Sequence, residues 1–346
     1  MRLGLIVRAD DSGLGSQTRN LCKLLKPDRL LIVDSTSFNN NKQHFEWYDG
    51  FESIITKAWP TIAESREFTK GLTHIFSAET MYNNEIYNQA KIHGTKTYIH
   101  CNYEFTDQLR DTSMPTPHYW VMPSYWKNKE MNNLFRRVIY LPPPLFLNEF
   151  KEVREKNMAR KNERRRYLHV LGRAAVNDRN GTRDLIKALV YSTADFELVI
   201  KSQFEIEGLH TNDSRVRFDI KNTKETADLY KDFDAMILPR RYGGLCLPMN
   251  EALASGLPVI MTDISPNDEA LPKEWLVRAI KEEQIMTRTI MQTYSVDYSE
   301  LGAKLNWLSE ITQDKLDLLK VNALYIAHEN YSSDVLKPQY MELFNL

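Results

Sequence analysis

Short apolar runs alternate with helical segments along almost the whole chain, and this rhythm constrains the fold more than any other feature. In the first half the runs are Leu3–Val7, Leu30–Val33, His74–Ser77, Lys96–Cys101, Trp120–Pro123 and Val138–Leu141. In the second half they are Tyr167–Leu171, Phe196–Ile200, Val216–Ile220, Ala235–Leu238, Val259–Thr262 and Trp275–Val277. Runs this short, bounded by turn residues, fit strands buried on both faces. Strands alternating with helices imply parallel sheets in an α/β architecture. The rhythm breaks between Leu147 and Arg166, next to Pro142-Pro143-Pro144 and across the charged stretch Lys151–Arg166, which carries eight Lys/Arg against three Glu. The expected architecture is therefore two facing, doubly wound, Rossmann-like domains, 1–150 and from 165 onward. Ligands of such sheets bind beyond the carboxyl ends of the strands, which points to an interdomain cleft.

At 346 residues two domains are the default, and a net charge of −1 excludes a polyanion binder of the whole-molecule kind. Local basic segments remain at Arg136-Arg137, Arg164-Arg165-Arg166 and Arg240-Arg241. The Lys151–Arg166 stretch reads either as a phosphate-backbone contact or as a solvated helix or linker face. The three cysteines, Cys22, Cys101 and Cys246, are far apart and odd in number. That argues for a reducing compartment and against a disulfide framework or a zinc site. The opening MRLGLIVRADD is too short and too quickly charged for a signal peptide, and no stretch reaches membrane-spanning length. A cytoplasmic protein without a membrane partner is expected.

The densest chemistry lies in Arg240–Asp263. Tyr242-Gly243-Gly244 follows a strand-like run, Pro248 suits the first turn of a helix, and Gly256 suits its end. A glycine loop opening onto a helix N-terminus presents unpaired N–H groups and the positive end of the helix dipole, an arrangement that binds phosphate. The plain alternative is a tight βαβ connection without a ligand. A second glycine loop, Gly13-Leu14-Gly15, follows the first strand. It is one candidate for a dinucleotide fingerprint with Asp34 as the ribose acid, but Thr18 stands at the third glycine position. A third loop, Leu171 to Gly181, carries Arg173 and Arg179, whose forked guanidinium groups suit a diphosphate.

Together these residues make the second half resemble the donor domain of retaining glycosyltransferases of family 4, which have the GT-B fold. The resemblance rests on Gly172-Arg173, on Arg179 with Asn180-Gly181, and on Glu251-Ala252-Leu253-Ala254-Ser255-Gly256-Leu257-Pro258-Val259-Ile260. It covers roughly 165–345, including a closing helix within 328–346 that crosses back to the first domain, which leaves 165–327 as the donor domain. It implies that a sugar nucleotide such as a UDP-sugar, a co-substrate rather than a cofactor, lies with its diphosphate against Arg173, Arg179 and the backbone of Gly244, Leu245, Cys246 and Leu247. It implies that Glu251 holds the ribose hydroxyls and that His100, ending a first-domain strand, faces the donor sugar. Two positions depart from the family. Gly243 stands where a first glutamate is usual, and Asn180 where a lysine is usual, so that Arg179 or Lys201 is left to supply that charge.

On the acceptor side, Glu104 is a candidate proton acceptor or a helix cap, and Asp10 and Asp11, beside Gly13-Leu14-Gly15, are alternatives. Asp232-Phe233-Asp234 precedes a strand and reads as capping and solvent contact, with no metal site expected. The expected function is transfer of a sugar, with retention, to an acceptor hydroxyl; nucleic acid bearing hydroxymethylated bases, as in phage DNA, is one acceptor class. The alternatives are a non-catalytic sugar-nucleotide binder and a nicotinamide-dependent enzyme.

Overall fold

The computed structural model describes residues 1–37, 41–161, 164–171, 177–205, 208–223 and 225–345. These form two compact units. One comprises Met1–Pro144, Met286–Thr289 and Ser333–Leu346; the other comprises Leu145–Ile285 and Ile290–Ser332.

The first unit contains β1 (Leu3–Arg8), α1 (Gly13–Leu25), β2 (Arg29–Asp34), β3 (Glu52–Lys57), α2 (Ile62–Thr69), β4 (His74–Ala78), α3 (Glu85–His93), β5 (Lys96–His100), β6 (Tyr119–Met122), α4 (Asn128–Leu134) and β7 (Val138–Tyr140). Its sheet is wholly parallel, in the order β3-β2-β1-β4-β5-β6-β7. The chain steps outward from β1 to β3 and returns to β4, so the direction of winding reverses between β1 and β4. The apolar runs mark six of these strands. The seventh, β3, is an edge strand whose residues Glu52, Ser53 and Lys57 are exposed, so it carries no continuous apolar signal.

The second unit contains α5 (Lys151–Ala159), β8 (Arg165–Val170), α6 (Thr182–Ala188), β9 (Phe196–Ser202), β10 (Val216–Ile220), β11 (Ala235–Leu238), α7 (Leu247–Ala254), β12 (Val259–Thr262), α8 (Asn267–Ala270), β13 (Leu276–Val277), β14 (Ala279–Met286), β15 (Ile290–Val296), α9 (Tyr298–Glu310) and α10 (Gln313–Tyr331). Its six-stranded sheet, also parallel, runs β10-β9-β8-β11-β12-β13, with the reversal between β8 and β11. The fold is thus α/β with two doubly wound, Rossmann-like sheets. In the charged stretch Lys151–Arg166, α5 takes the first nine residues, with only Val153 and Asn157 buried, and β8 takes the last two. The hairpin β14–β15 escapes sequence reading because β14 is mostly exposed and carries Lys281, Glu282 and Glu283 in its middle.

The chain closes with one helix after α10. α10 ends at Tyr331, and α11 (Ser333–Asn345) belongs to the first unit. Leu145 N–H donates to Tyr331 O (2.7 Å), so the second unit's first residue lies beside its last turn.

Candidate functional site

At the reversal point of the second sheet, the loop after β8 is fastened to the loop after β11. Arg241 N–H donates to Arg179 O (2.9 Å), and Arg241 Nη1 donates to Asn177 O (2.8 Å). Gly181 has φ +70°, and a Cβ there would lie 3.0 Å from the Pro239 carbonyl carbon and closer still to its oxygen. Only glycine permits that approach. Asp178, buried, accepts from the N–H groups of Thr182 (3.0 Å) and Arg183 (2.7 Å) and so caps α6. Asn180 Nδ2 donates to Val170 O (2.8 Å), which anchors the residue at the family's lysine position to the end of β8. Gly172 and Arg173 lie outside the described residues.

Arg179 Cζ stands 5.2 Å from the centre of the Tyr242 ring. Next to that ring, Gly243 has φ +107°, and a Cβ built on it would lie 2.7 Å from Arg179 Cζ and nearer still to Nη2. The guanidinium therefore fills the space in which a side chain at 243 would begin. The loop continues through Gly244 and Leu245 to Cys246, the N-cap of α7, which has no side-chain cap; Pro248 lies in the first turn. Among the described residues, the N–H groups of Gly244, Leu245, Cys246 and Leu247 donate to no other protein atom. Arg240, buried, clamps the same loop through its Nε to Tyr242 O (3.0 Å) and its Nη2 to Leu245 O (2.8 Å). A cation beside unpaired N–H groups at a helix N-terminus is an anion-binding arrangement.

One turn along α7, Glu251 is buried rather than solvent-facing, and its Oε2 accepts from Tyr230 Oη at 2.6 Å. Burial pushes its carboxyl up to about 7, against the opposing pull of the Tyr230 hydrogen bond. Asn250, also buried, has an Oδ1 without a hydrogen-bond partner among the described residues. Lys201 turns toward backbone: its Nζ donates to Leu229 O (2.8 Å) and lies 5.2 Å from the Phe233 ring centre, and burial lowers its pKa to about 8. Gly256, with φ +73°, closes α7 in the left-handed conformation. Sequence reasoning missed Tyr230 and the clamp formed by Arg240. For the Arg240 clamp, the Arg240-Arg241 pair between a buried strand and two glycines was the available signal.

In the first unit, Gly13, Leu14 and Gly15 form the first turn of α1, and Ser12 caps it through Oγ, which accepts from Gly15 N–H (3.2 Å). A Cβ on Gly15 would lie 2.9 Å from the Asp10 carbonyl carbon and closer to its oxygen, so this glycine serves close packing of helix on strand end. Asp10 is fully buried. Its carboxylate takes hydrogen bonds from Arg8, Ser35 and Ser12 N–H, which together hold it down at about 2 despite desolvation. Asp11 is exposed and lies 2.8 Å from His44 Nε2. His100 is fully enclosed: Gln17 Nε2 is 3.0 Å from its Nδ1, Leu141 O is 2.7 Å from its Nε2, and Tyr340 Oη of α11 is 3.2 Å from the same atom. Desolvation lowers its pKa to about 4. This position leaves no ring nitrogen open to a substrate. Glu104 is buried; its carbonyl oxygen receives Thr287 Oγ1 (3.0 Å) and Arg288 N–H (3.2 Å), and Arg288 Nη1 pairs with Asp107 (2.6 Å). Among the described residues, no hydrogen bond joins His100, Glu104 and Asp11 to one another.

The Asp232-Phe233-Asp234 segment corrects one expectation. Asp234 does not meet solvent; it is buried, with Arg160 Nε at 2.9 Å and Lys320 Nζ at 3.4 Å. The basic segments are also largely engaged within the second unit. Arg165 holds Gln313 and Ile311 O, Arg164 pairs with Asp195, and Arg166 pairs with Glu197. Among the described residues, no group of three His, Cys, Asp or Glu is placed to hold a metal ion, and no helix is long and apolar enough to cross a membrane.

Residues 165–294 match the family described as Glycosyl transferases group 1. Solved structures with the same fold include HepE of Anabaena in complex with UDP (13% identity, 100% of each chain covered, TM-score 0.74). They also include the sucrose-phosphate synthase of Thermosynechococcus elongatus (13% identity, 100% of this chain and 98% of that one, TM-score 0.72). A glycosyltransferase from Rickettsia africae is a third (12% identity, 99% and 97%, TM-score 0.68). No curated protein sequence matches the chain. The two doubly wound sheets and the group 1 segment define the chain as a glycosyltransferase of GT-B fold.

Proposed function

We propose that the second unit binds a uridine-diphosphate sugar and that the enzyme transfers the sugar to an acceptor hydroxyl with retention of anomeric configuration. The observation that carries this reading is the pairing of Arg179 with the unpaired N–H groups of residues 244–247, one helical turn from the buried carboxyl of Glu251. The diphosphate lies against Arg179 and those N–H groups. As the bond from the anomeric carbon to the diphosphate oxygen breaks, charge grows on that oxygen, and fixed donors stabilise it without reorganising. Glu251 accepts from the ribose hydroxyls, and Tyr230 holds the carboxyl in place. One structural relative, HepE, was solved both with UDP and with UDP-glucose, which favours uridine as the nucleoside.

Lys201, tied to the 228–229 carbonyls, supports the loop rather than the phosphates. His100 is a positioning residue in this reading: its neutral ring braces Gln17 on α1 and the 141–142 backbone. On the acceptor side, Glu104, Asp11 and the Gly13-Leu14-Gly15 turn share the carboxyl edge of the first sheet. A hydroxymethylated base in DNA stands as one acceptor class. Its electrostatic support narrows to the exposed Arg136 and Arg137, since the other basic segments are engaged internally.

The test is UDP release from a panel of UDP-sugars, with and without acceptor pools that include duplex DNA bearing hydroxymethylated pyrimidines. Release from one donor, stimulated by one pool and lost in Arg179→Ala, supports the proposal. UDP-sugar binding without release from any mixture favours a non-catalytic binder. Unchanged UDP affinity in both Arg179→Ala and Glu251→Gln overturns the site.

A further inference from the structure

The first unit has a cavity that the transfer reaction does not use. It lies between the second half of α1 and the short 3-10 turn Phe45–Tyr48, has a volume of about 360 Å³, and is lined by Arg19, Cys22, Lys23, Lys26, Trp47 and Phe51. That volume falls within the range of small-molecule sites. The glycine loop sits at the N-terminal end of the same helix, and the 13 residues of α1 span about 20 Å, so a ligand here leaves the loop free.

The wall chemistry is of two kinds. Trp47, Phe51 and the buried Cys22 form an apolar interior, and burial pushes the Cys22 thiol up to about 12, so it stays a neutral apolar group. Arg19, Lys23 and Lys26 are basic, and among the described residues none that lines the cavity is acidic. Arg19 Cζ stands 4.6 Å from the Trp47 ring centre, and His44 stacks on the same indole at 4.6 Å. Two contacts, one cationic and one stacked, thus restrain the Trp47 ring beside the cavity. Long basic side chains place their stems along apolar surface and their charges at its margin. An apolar interior with a cationic margin selects a molecule with an apolar tail and one anionic head.

We infer that this cavity binds a soluble, single-chain anionic amphiphile, its tail against Trp47 and Phe51 and its head among Arg19, Lys23 and Lys26. The test is calorimetric titration of the full chain with decanoate, decanol and decylamine, which share a tail and differ in head charge. Decanoate is expected to bind at one site, at least tenfold more tightly than either analogue. Lys26→Gln should weaken decanoate several-fold while circular dichroism and melting stay unchanged. Cys22→Leu, which fills the floor, should abolish binding; Phe51→Ala is the second cavity variant should the first misfold. Equal affinity for all three probes would show a merely greasy cleft and overturn the inference. So would no binding of decanoate, or binding only to phosphatidylglycerol vesicles.

Discussion

The guanidinium of Arg179 occupies the space that a side chain on residue 243 would need, so residue 243 cannot gain a side chain while Arg179 keeps its place. Gly243→Ala adds a methyl group into the guanidinium and places a Cβ on a backbone with φ +107°. The two effects together should destabilise the second unit by about 2–4 kcal/mol. Because Arg179 must move, UDP affinity should fall as well, by about tenfold or more for the loss of a charged hydrogen bond. The Arg179→Ala, Gly243→Ala double variant removes the collision but not the backbone cost. Thermal melts of the full cycle should therefore show the double variant more stable than the sum of the singles. Additive losses would mean that the two side-chain positions do not compete.

Glu251 gives donor binding a pH dependence near neutrality. Its carboxyl is held up at about 7 by burial, so the folded protein carries a proton there that the unfolded chain releases near 4.5. Stability from this group is therefore present at low pH and declines as pH rises through 4.5 to 7. Ribose hydroxyls donate best to the ionised form. UDP affinity should rise between pH 6 and pH 8, and binding near pH 7 should release a proton, seen as a calorimetric enthalpy that varies with buffer. Tyr230→Phe removes the hydrogen bond that favours ionisation and should move this rise to higher pH. A flat affinity profile in the parent protein would exclude the carboxylate as the ribose acceptor.

Much of this was legible in the residues, for identifiable reasons. Buried parallel strands such as Ile6-Val7 in β1 or Met236-Ile237 in β11 must be apolar on both faces, so they stand out. Gly256 ends α7 in a conformation that favours glycine, and a glycine before Pro258 says so. What escaped depends on contacts distant in sequence. Tyr230 and Glu251 meet across 21 residues with no fixed spacing between them. The Arg240 side chain turns inward to two carbonyl oxygens, although an arginine pair reads as surface. Asp234 looks like half of a metal motif until Arg160 and Lys320 close over it. β3 and β14 expose consecutive residues and carry charges, so an apolar-run criterion passes over them.

Gly15 is required for packing rather than for a ligand. Its Cα faces the Asp10 carbonyl, and Asp10 in turn carries the ion pair with Arg8 and the hydroxyl of Ser35. Gly15→Ala should lift α1 away from the end of β1 and cost about 1–3 kcal/mol from overpacking, more if the Asp10 hydrogen bonds are lost with it. The expected sign is a lower melting temperature for the first unit with UDP affinity intact, since the proposed nucleotide groups all lie in the second. A loss of UDP affinity at full stability would instead place this glycine loop at the donor.

His100 should make the enzyme acid-sensitive above the range in which carboxylates titrate. The ring is neutral and enclosed, its pKa is lowered to about 4, and an unfolded histidine protonates near 6.5. Between those values the unfolded chain holds the extra proton, so stability is full above 6.5 and falls as the pH drops toward 4. The difference corresponds to about 3 kcal/mol, and buried His169, whose pKa burial also lowers, acts in the same direction. His100→Gln cannot protonate and should flatten this part of the stability profile while costing some stability at pH 8, where the hydrogen bonds to Leu141 and Gln17 are no longer both met. Chemical denaturation at pH 5 and pH 8 measures both terms. If His100 instead acts on the substrate, His100→Gln should abolish UDP release at pH 8 with stability unchanged; the packed ring predicts the opposite, a destabilised protein that retains turnover below its melting temperature.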